Sequence, residues 1–189
     1  MPINRPYSIQ CINNELFIAA FDGIYKLDKY FSLVKYYNRT GSVYTSIYHN
    51  RTSDILYVAS FGSNKKIDLF YRNLNFINSL SFTNSPYALT ETNGKLYVGL
   101  SDGVISVLEN NLVVKNIKTL CTGTITSIVK DANDLMAALC YSDNMLYLYT
   151  TNGSYTGKNM TTPSNSRFMN YDLNGHLIIA GQSQINLYY

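Results

Sequence analysis

A leucine-headed apolar run recurs along this chain about every forty residues, and few folds accommodate that. The runs are Leu16-Phe17-Ile18-Ala19-Ala20, Leu56-Tyr57-Val58-Ala59-Ser60, Leu96-Tyr97-Val98-Gly99-Leu100, Leu135-Met136-Ala137-Ala138-Leu139 and Leu177-Ile178-Ile179-Ala180-Gly181. Their first residues are 40, 40, 39 and 42 positions apart. The fourth place is small in each (Ala19, Ala59, Gly99, Ala138, Ala180), as suits a strand approached closely on both faces. Turn residues precede each run, as in Asn13-Asn14, Asn93-Gly94, Asn133-Asp134 and Asn174-Gly175. A second turn follows, as in Asp22-Gly23 and Asp102-Gly103, and then an alternating strand such as Val104 to Leu108.

Adding an aromatic strand before each run and a more polar one after makes every unit a four-stranded antiparallel meander, with strands a, b, c and d. The units are predicted near 7–38, 43–82, 86–120, 125–161 and 167–189. One such sheet cannot cover its own faces. Sheets of this period pack face to face around an axis as a β-propeller, here one all-β domain over 1–189 with five blades. A β-solenoid is the weaker alternative, because its repeats are shorter. Eighteen tyrosines and eight phenylalanines favour strand, and a charged fraction of only 14% argues against disorder. The Asp-Gly turns are predicted to be type I′, with positive φ at both central residues. The last unit stops where its strand d is due. Residues 1–5 are predicted to supply that strand and close the ring at the termini, with a larger six- or seven-bladed domain or closure by oligomerisation as the competing reading.

The stretch Leu56-Tyr57-Val58-Ala59-Ser60-Phe61-Gly62-Ser63-Asn64 with Ile67-Asp68-Leu69 resembles the YVTN and NHL-type propeller repeats. WD repeats are less similar, since the chain has no tryptophan. The resemblance implies that ligands bind on the face carrying the b–c turns and d–a connections. On that face the expected residues are Phe21, Asp22, Phe61, Asn64, Ser101, Asp102, Tyr141, Asp143 and Gln182, joined by Tyr7, Tyr44, Tyr87 and Phe168 at the starts of strand a. Aromatics beside amides and carboxylates suit polar ligands. The same residues also suit turns and packing between blades.

No nucleophile motif and no zinc-type spacing is visible, and His49 and His176 fall at a–b turns away from that face. No catalytic residue, metal ligand or cofactor is assigned. The turn residues differ from unit to unit, which favours one asymmetric partner over five equal sugar sites. The resulting reading is a non-catalytic scaffold that binds a protein or peptide. A lectin-like carbohydrate binder is the alternative, and a metal-dependent hydrolase or lactonase a second. A net charge of +3 without a basic cluster gives no sign of nucleic-acid binding, and no apolar run reaches spanning length. Cys11, Cys121 and Cys140 lack any paired spacing and are expected to be buried free thiols. With no signal peptide visible, this leans towards an intracellular setting.

Overall fold

A computed structural model describes residues 2–131, 133–172 and 174–188. Among them the chain is strand and turn, with no helix. The first sheet holds β1 (Pro6–Ile12), β2 (Glu15–Ala20), β3 (Gly23–Leu27) and β4 (Leu33–Tyr37). The second holds β5 (Ser42–Asn50), β6 (Ile55–Gly62), β7 (Lys66–Tyr71) and β8 (Phe76–Ser81). The third holds β9 (Pro86–Thr92), β10 (Lys95–Leu100), β11 (Val104–Glu109) and β12 (Leu112–Lys118). The fourth holds β13 (Ile125–Lys130), β14 (Leu135–Cys140), β15 (Met145–Thr150) and β16 (Tyr155–Thr161). The fifth has three described strands, β17 (Phe168–Tyr171), β18 (Leu177–Ala180) and β19 (Ile185–Tyr188). Neighbours in sequence are neighbours in each sheet, so the predicted meander and the five-bladed β-propeller fold are realised.

The chain forms two compact units, Met1–Leu89 and Thr90–Tyr189, with the boundary inside β9. In the first unit β5 packs across β1, β2 and β3. Phe17, Ile24, Leu56, Val58 and Phe70 there are wholly buried in one cluster. In the second unit β13 packs on β10 and β17 on β13. Its core joins Ala137, Leu139 and Leu146 to Met169, Leu177 and Ile179. Full burial of an aliphatic or phenyl side chain contributes about 2 kcal/mol, so these residues, most of them on second and third strands, hold the sheets of each unit together.

Strand pairing corrects the register of the fourth repeat. A bulge interrupts the first strand at Tyr7, at Thr45 and at Thr126, and the residue just before it pairs with Ala20, Ser60 and Cys140 respectively. Cys140, not Leu139, is therefore the equivalent of Ala20, and Met136 that of Leu16 and Leu56. The small position becomes Leu139 in this sheet. Leu135 and Met136 are both apolar, so either frame satisfies the pattern by composition. The same bulge shifts Tyr44 by one place: it matches Pro6 and Ile125, and it is fully buried.

The Asp-Gly turns also differ from expectation. Gly103 takes φ +77, but Asp102 does not enter the positive range. The Gly103 amide donates to the Leu100 carbonyl at 3.4 Å, so the glycine follows a type I turn as a bulge residue. In the first sheet Ala20 pairs with Gly23, and neither Phe21 nor Asp22 has positive φ. Type I′ geometry belongs to the Asn turns instead: Asn13 and Asn14 (φ 49 and 62), Asn93 and Gly94 (53 and 73), and Asn110 and Asn111 (51 and 65). Asparagine tolerates that region best after glycine.

Among the described residues the expected closing strand does not form. Residues 2–5 carry no strand. Arg5 takes φ 47 and turns the chain, and the carbonyls of Asn4 and Arg5 accept from the Phe21 amide at 3.2 and 3.1 Å. Ile3 packs against Ile18, Ala20 and Tyr25 of its own first sheet. Met1 and Tyr189, which belonged to that expectation, lie outside the described residues.

Buried phenols give the fold a pH limit. Desolvation pushes the Tyr25 and Tyr44 hydroxyls far above the ordinary phenol range, and the Asp22 and Asp68 carboxylates add to this. An unfolded phenol ionises near pH 10 (about 10), while these stay protonated in the fold. Their contribution is therefore complete below about pH 10 and is lost as pH rises beyond it. Thermal melts between neutral pH and about pH 11 are expected to show a falling midpoint, and Tyr44→Phe a shallower fall.

Candidate functional site

In the first unit the expected face residues are engaged locally. Phe21 is 40% exposed, with the Arg5 guanidinium 5.4 Å from its ring centre. Asp22 accepts from the Tyr25 hydroxyl through Oδ2 at 2.7 Å, and its backbone carbonyl accepts from the Tyr36 hydroxyl at 2.5 Å. Tyr7 is half-buried at the bulge of β1. Tyr44 is in the core and donates to Asp68 Oδ2 at 3.3 Å, so it offers no surface. Phe61 stacks on Tyr87 with ring centres 5.3 Å apart. Asn64 donates to the Thr40 carbonyl and to Ser42 Oγ at 3.3 and 3.4 Å. These are packing and turn roles.

In the second unit Ser101 and Asp102 form the turn described above, and Asp102 Oδ1 accepts from the Val104 amide at 3.3 Å. Three other expected residues come together. Tyr141, Phe168 and Gln182 line an open cleft of about 410 Å³, with Arg167 and Asn165 beside them. Tyr141 follows β14, Arg167 immediately precedes β17, Phe168 opens it, and Gln182 follows β18, so ends of neighbouring sheets meet here. The Arg167 guanidinium carbon stands 4.7 Å from the Tyr141 ring centre, and Nη2 donates to the Tyr141 hydroxyl at 3.3 Å. Asn165 Nδ2 donates to Gln182 Oε1 at 2.7 Å. Among the described residues no carboxylate pairs with Arg167. Phe168 is 48% exposed, giving the cleft an apolar floor beside its cation. A guanidinium over a ring, with amides opposite, can hold an anionic or carbonyl oxygen while the ring packs on apolar parts of the same ligand.

Directly behind Tyr141 the structure corrects the cysteine expectation. Cys121 and Cys140 form a disulfide, with Cα atoms 5.5 Å apart. The β12–β13 connection folds back so that the Thr124 carbonyl accepts from the Tyr141 amide at 2.9 Å, which brings Cys121 against the end of β14. Gly103 packs so tightly there that a Cβ would collide with the Cys121 carbonyl oxygen. Asp143 lies in this cluster and not in the cleft wall. It accepts from the Thr122 amide at 3.0 Å, from the Thr122 hydroxyl, and from the Tyr147 hydroxyl at 3.4 Å. Desolvation first, and then this carboxylate, raises the Tyr147 phenol. Cys11 is the free cysteine, and it is exposed rather than buried.

Arg167, Asn165 and the Cys121–Cys140 bond were not expected from the sequence. The two cysteines are 19 positions apart, with no motif to link them. Arg167 had a faint signal, as a cation directly before an aromatic in a Ser/Asn-rich connection.

No protein-family profile and no curated protein matches the chain. Solved structures do match in fold. A streptogramin B lyase aligns with TM-score 0.79 and 14% identity, over 100% of this chain and 70% of its own. Selenomethionine-substituted virginiamycin B lyase from Staphylococcus aureus aligns with TM-score 0.78 and 12% identity, over 98% and 70%. These neighbours overturn the reading of a non-catalytic scaffold and of a chain that is not an enzyme: the fold is one that lyases use.

The disulfide closes a loop long enough to stabilise the fold by about 3 kcal/mol. Chemical denaturation with and without a reducing phosphine is expected to show a loss of that order. Cys11→Ser should leave the difference unchanged.

Proposed function

We propose that this chain is an enzyme, a lyase acting on a small polar molecule held in the cleft between Tyr141 and Arg167. The observation that carries this reading is the Arg167 guanidinium, unpaired with any carboxylate among the described residues, set against the Tyr141 hydroxyl at 3.3 Å in an open cleft. Its support from outside the chain is the lyase activity named for the neighbours that share the fold.

A lyase removes a proton beside an electron-withdrawing group and expels a leaving group without adding water. Negative charge grows on a carbonyl or carboxylate oxygen as this happens. Arg167 is placed to stabilise that charge. Because Arg167 donates to the Tyr141 oxygen, the hydroxyl directs its own proton away from Arg167 and can give it to the leaving group, while the proton taken from the substrate passes to solvent in the open cleft and restores Tyr141. Asn165 and Gln182, locked to each other, orient the polar end of the substrate, and Phe168 packs on its apolar part. The repeats themselves are read as YVTN/NHL-like, a reading supported by Leu56-Tyr57-Val58-Ala59 and the Ile67-Asp68-Leu69 strand.

Streptogramin B is the first substrate to test. Mass analysis distinguishes the chemistry: products of a lyase sum to the substrate, whereas those of a hydrolase exceed it by one water. Turnover without added water is expected, and Arg167→Ala should lower kcat/KM about 100-fold. Turnover unaffected by Arg167→Ala removes the cleft from the reaction. A folded protein that leaves streptogramin B intact, and whose melting point no streptogramin B shifts, overturns the substrate assignment.

A further inference from the structure

The cluster behind the cleft has a chemistry that the proposed reaction does not use. Cys121 and Cys140 are 6% and 1% exposed. Their sulfurs and an Asp143 carboxylate oxygen all lie within 4.8 Å of one another. Two oxygens are aimed at the sulfurs: the Gly123 carbonyl is 3.1 Å from Cys121 Sγ, and Asp143 Oδ2 is 3.2 Å from Cys140 Sγ. A disulfide has no proton to give to either oxygen. Thiols would satisfy both, and so would a cation held between the sulfurs and the carboxylate. The Asp143 carboxylate is already fixed by Thr122 and Tyr147, the kind of outer support that metal-binding carboxylates have.

We propose that reduction of the Cys121–Cys140 bond creates a binding site for a thiophilic divalent cation, with both thiolates and the Asp143 carboxylate as ligands. The bond and the ion exclude each other. Zinc–sulfur distances of about 2.3 Å in a tetrahedron place the two sulfurs about 3.8 Å apart, which the 5.5 Å Cα separation allows by side-chain rotation alone. The redox step balances with a dithiol as reductant. It passes two electrons and two protons to the bond, its own sulfurs become a disulfide, and Cys121 and Cys140 become thiols. Zn²⁺ then displaces both thiol protons to solvent. Two sulfurs and one carboxylate oxygen leave the fourth position to water, and the partly exposed Asp143 gives the ion its way in.

Competition for Zn²⁺ against a chromophoric chelator tests this on the full chain. After reduction and removal of the reductant under inert gas, the protein is expected to take up a single equivalent. The oxidised protein should take up none at that site. Cys121→Ser and Cys140→Ser should abolish the uptake, while Cys11→Ser should preserve it. Asp143→Asn should weaken it by about tenfold or more, since even loss of an outer partner costs that much. Should the serine variants fail to fold, Co²⁺ added to the reduced unmodified protein gives an independent reading, because thiolate ligation produces a near-ultraviolet charge-transfer band. Equal uptake by oxidised and reduced protein, uptake that survives both serine substitutions, or bound Co²⁺ without that band overturns the proposal.

Discussion

Four of the five sheets depend on one strand being covered on both sides. Successive residues of a strand point to opposite faces, yet Phe17 to Ala20, Leu56 to Ser60, Leu96 to Leu100 and Met136 to Cys140 are buried without a break. Such a strand cannot alternate apolar with polar, and it cannot carry a bulky side chain at every position. Its neighbours then inherit their roles. The first strand bulges, and at two bulges a threonine reaches the next repeat: Thr45 donates to the Pro86 carbonyl at 3.4 Å and Thr126 to the Ser166 carbonyl at 3.3 Å. The fourth strand is left to solvent, as β12 shows with nearly every residue exposed.

One set of polar residues recurs on the third strand. Tyr25, Asp68, Ser106 and Tyr147 occupy the same register position, each facing the middle of the second strand. Each has its partner. Asp68, wholly buried, takes the Arg39 guanidinium at 3.1 Å and the Ser79 hydroxyl at 2.5 Å on one oxygen and Tyr44 on the other. Ser106 donates to Asn116 at 2.7 Å. Tyr25 and Tyr147 both reach back to an aspartate of the preceding turn. A buried charge is tolerated when it is paired and its remaining lone pairs are met, and Asp68 meets both conditions.

The second and third strands were legible in the sequence because a doubly covered strand leaves a compositional trace that recurs. The frame of the fourth repeat was not, since Leu135 and Met136 serve the pattern equally and only the bulge at Thr126 chooses between them. Turn type was misread at Asp22 and Asp102 because Asp-Gly fits two geometries, and hydrogen bonding to Leu100 selects the other one. Tyr141, Phe168 and Gln182, all expected on one face, do line one cleft, but their grouping with Arg167 arises where separate repeats abut, which no single repeat encodes. The disulfide was hidden for the same reason: Cys121 lies in the connection after one repeat and Cys140 in the middle of the next.

The uninterrupted order of strands within each sheet has a consequence for how the chain is made. Among the described residues no strand waits for a distant segment, because each pairing joins strands adjacent in sequence. Short loops close at small entropic cost, and such contacts form early. On the ribosome the strand pairing of a sheet therefore needs only its own repeat, while burial of its faces waits for the repeat that follows. The Cys121–Cys140 bond, by contrast, must follow completion of β14, so the oxidation step comes after the third sheet is already in place.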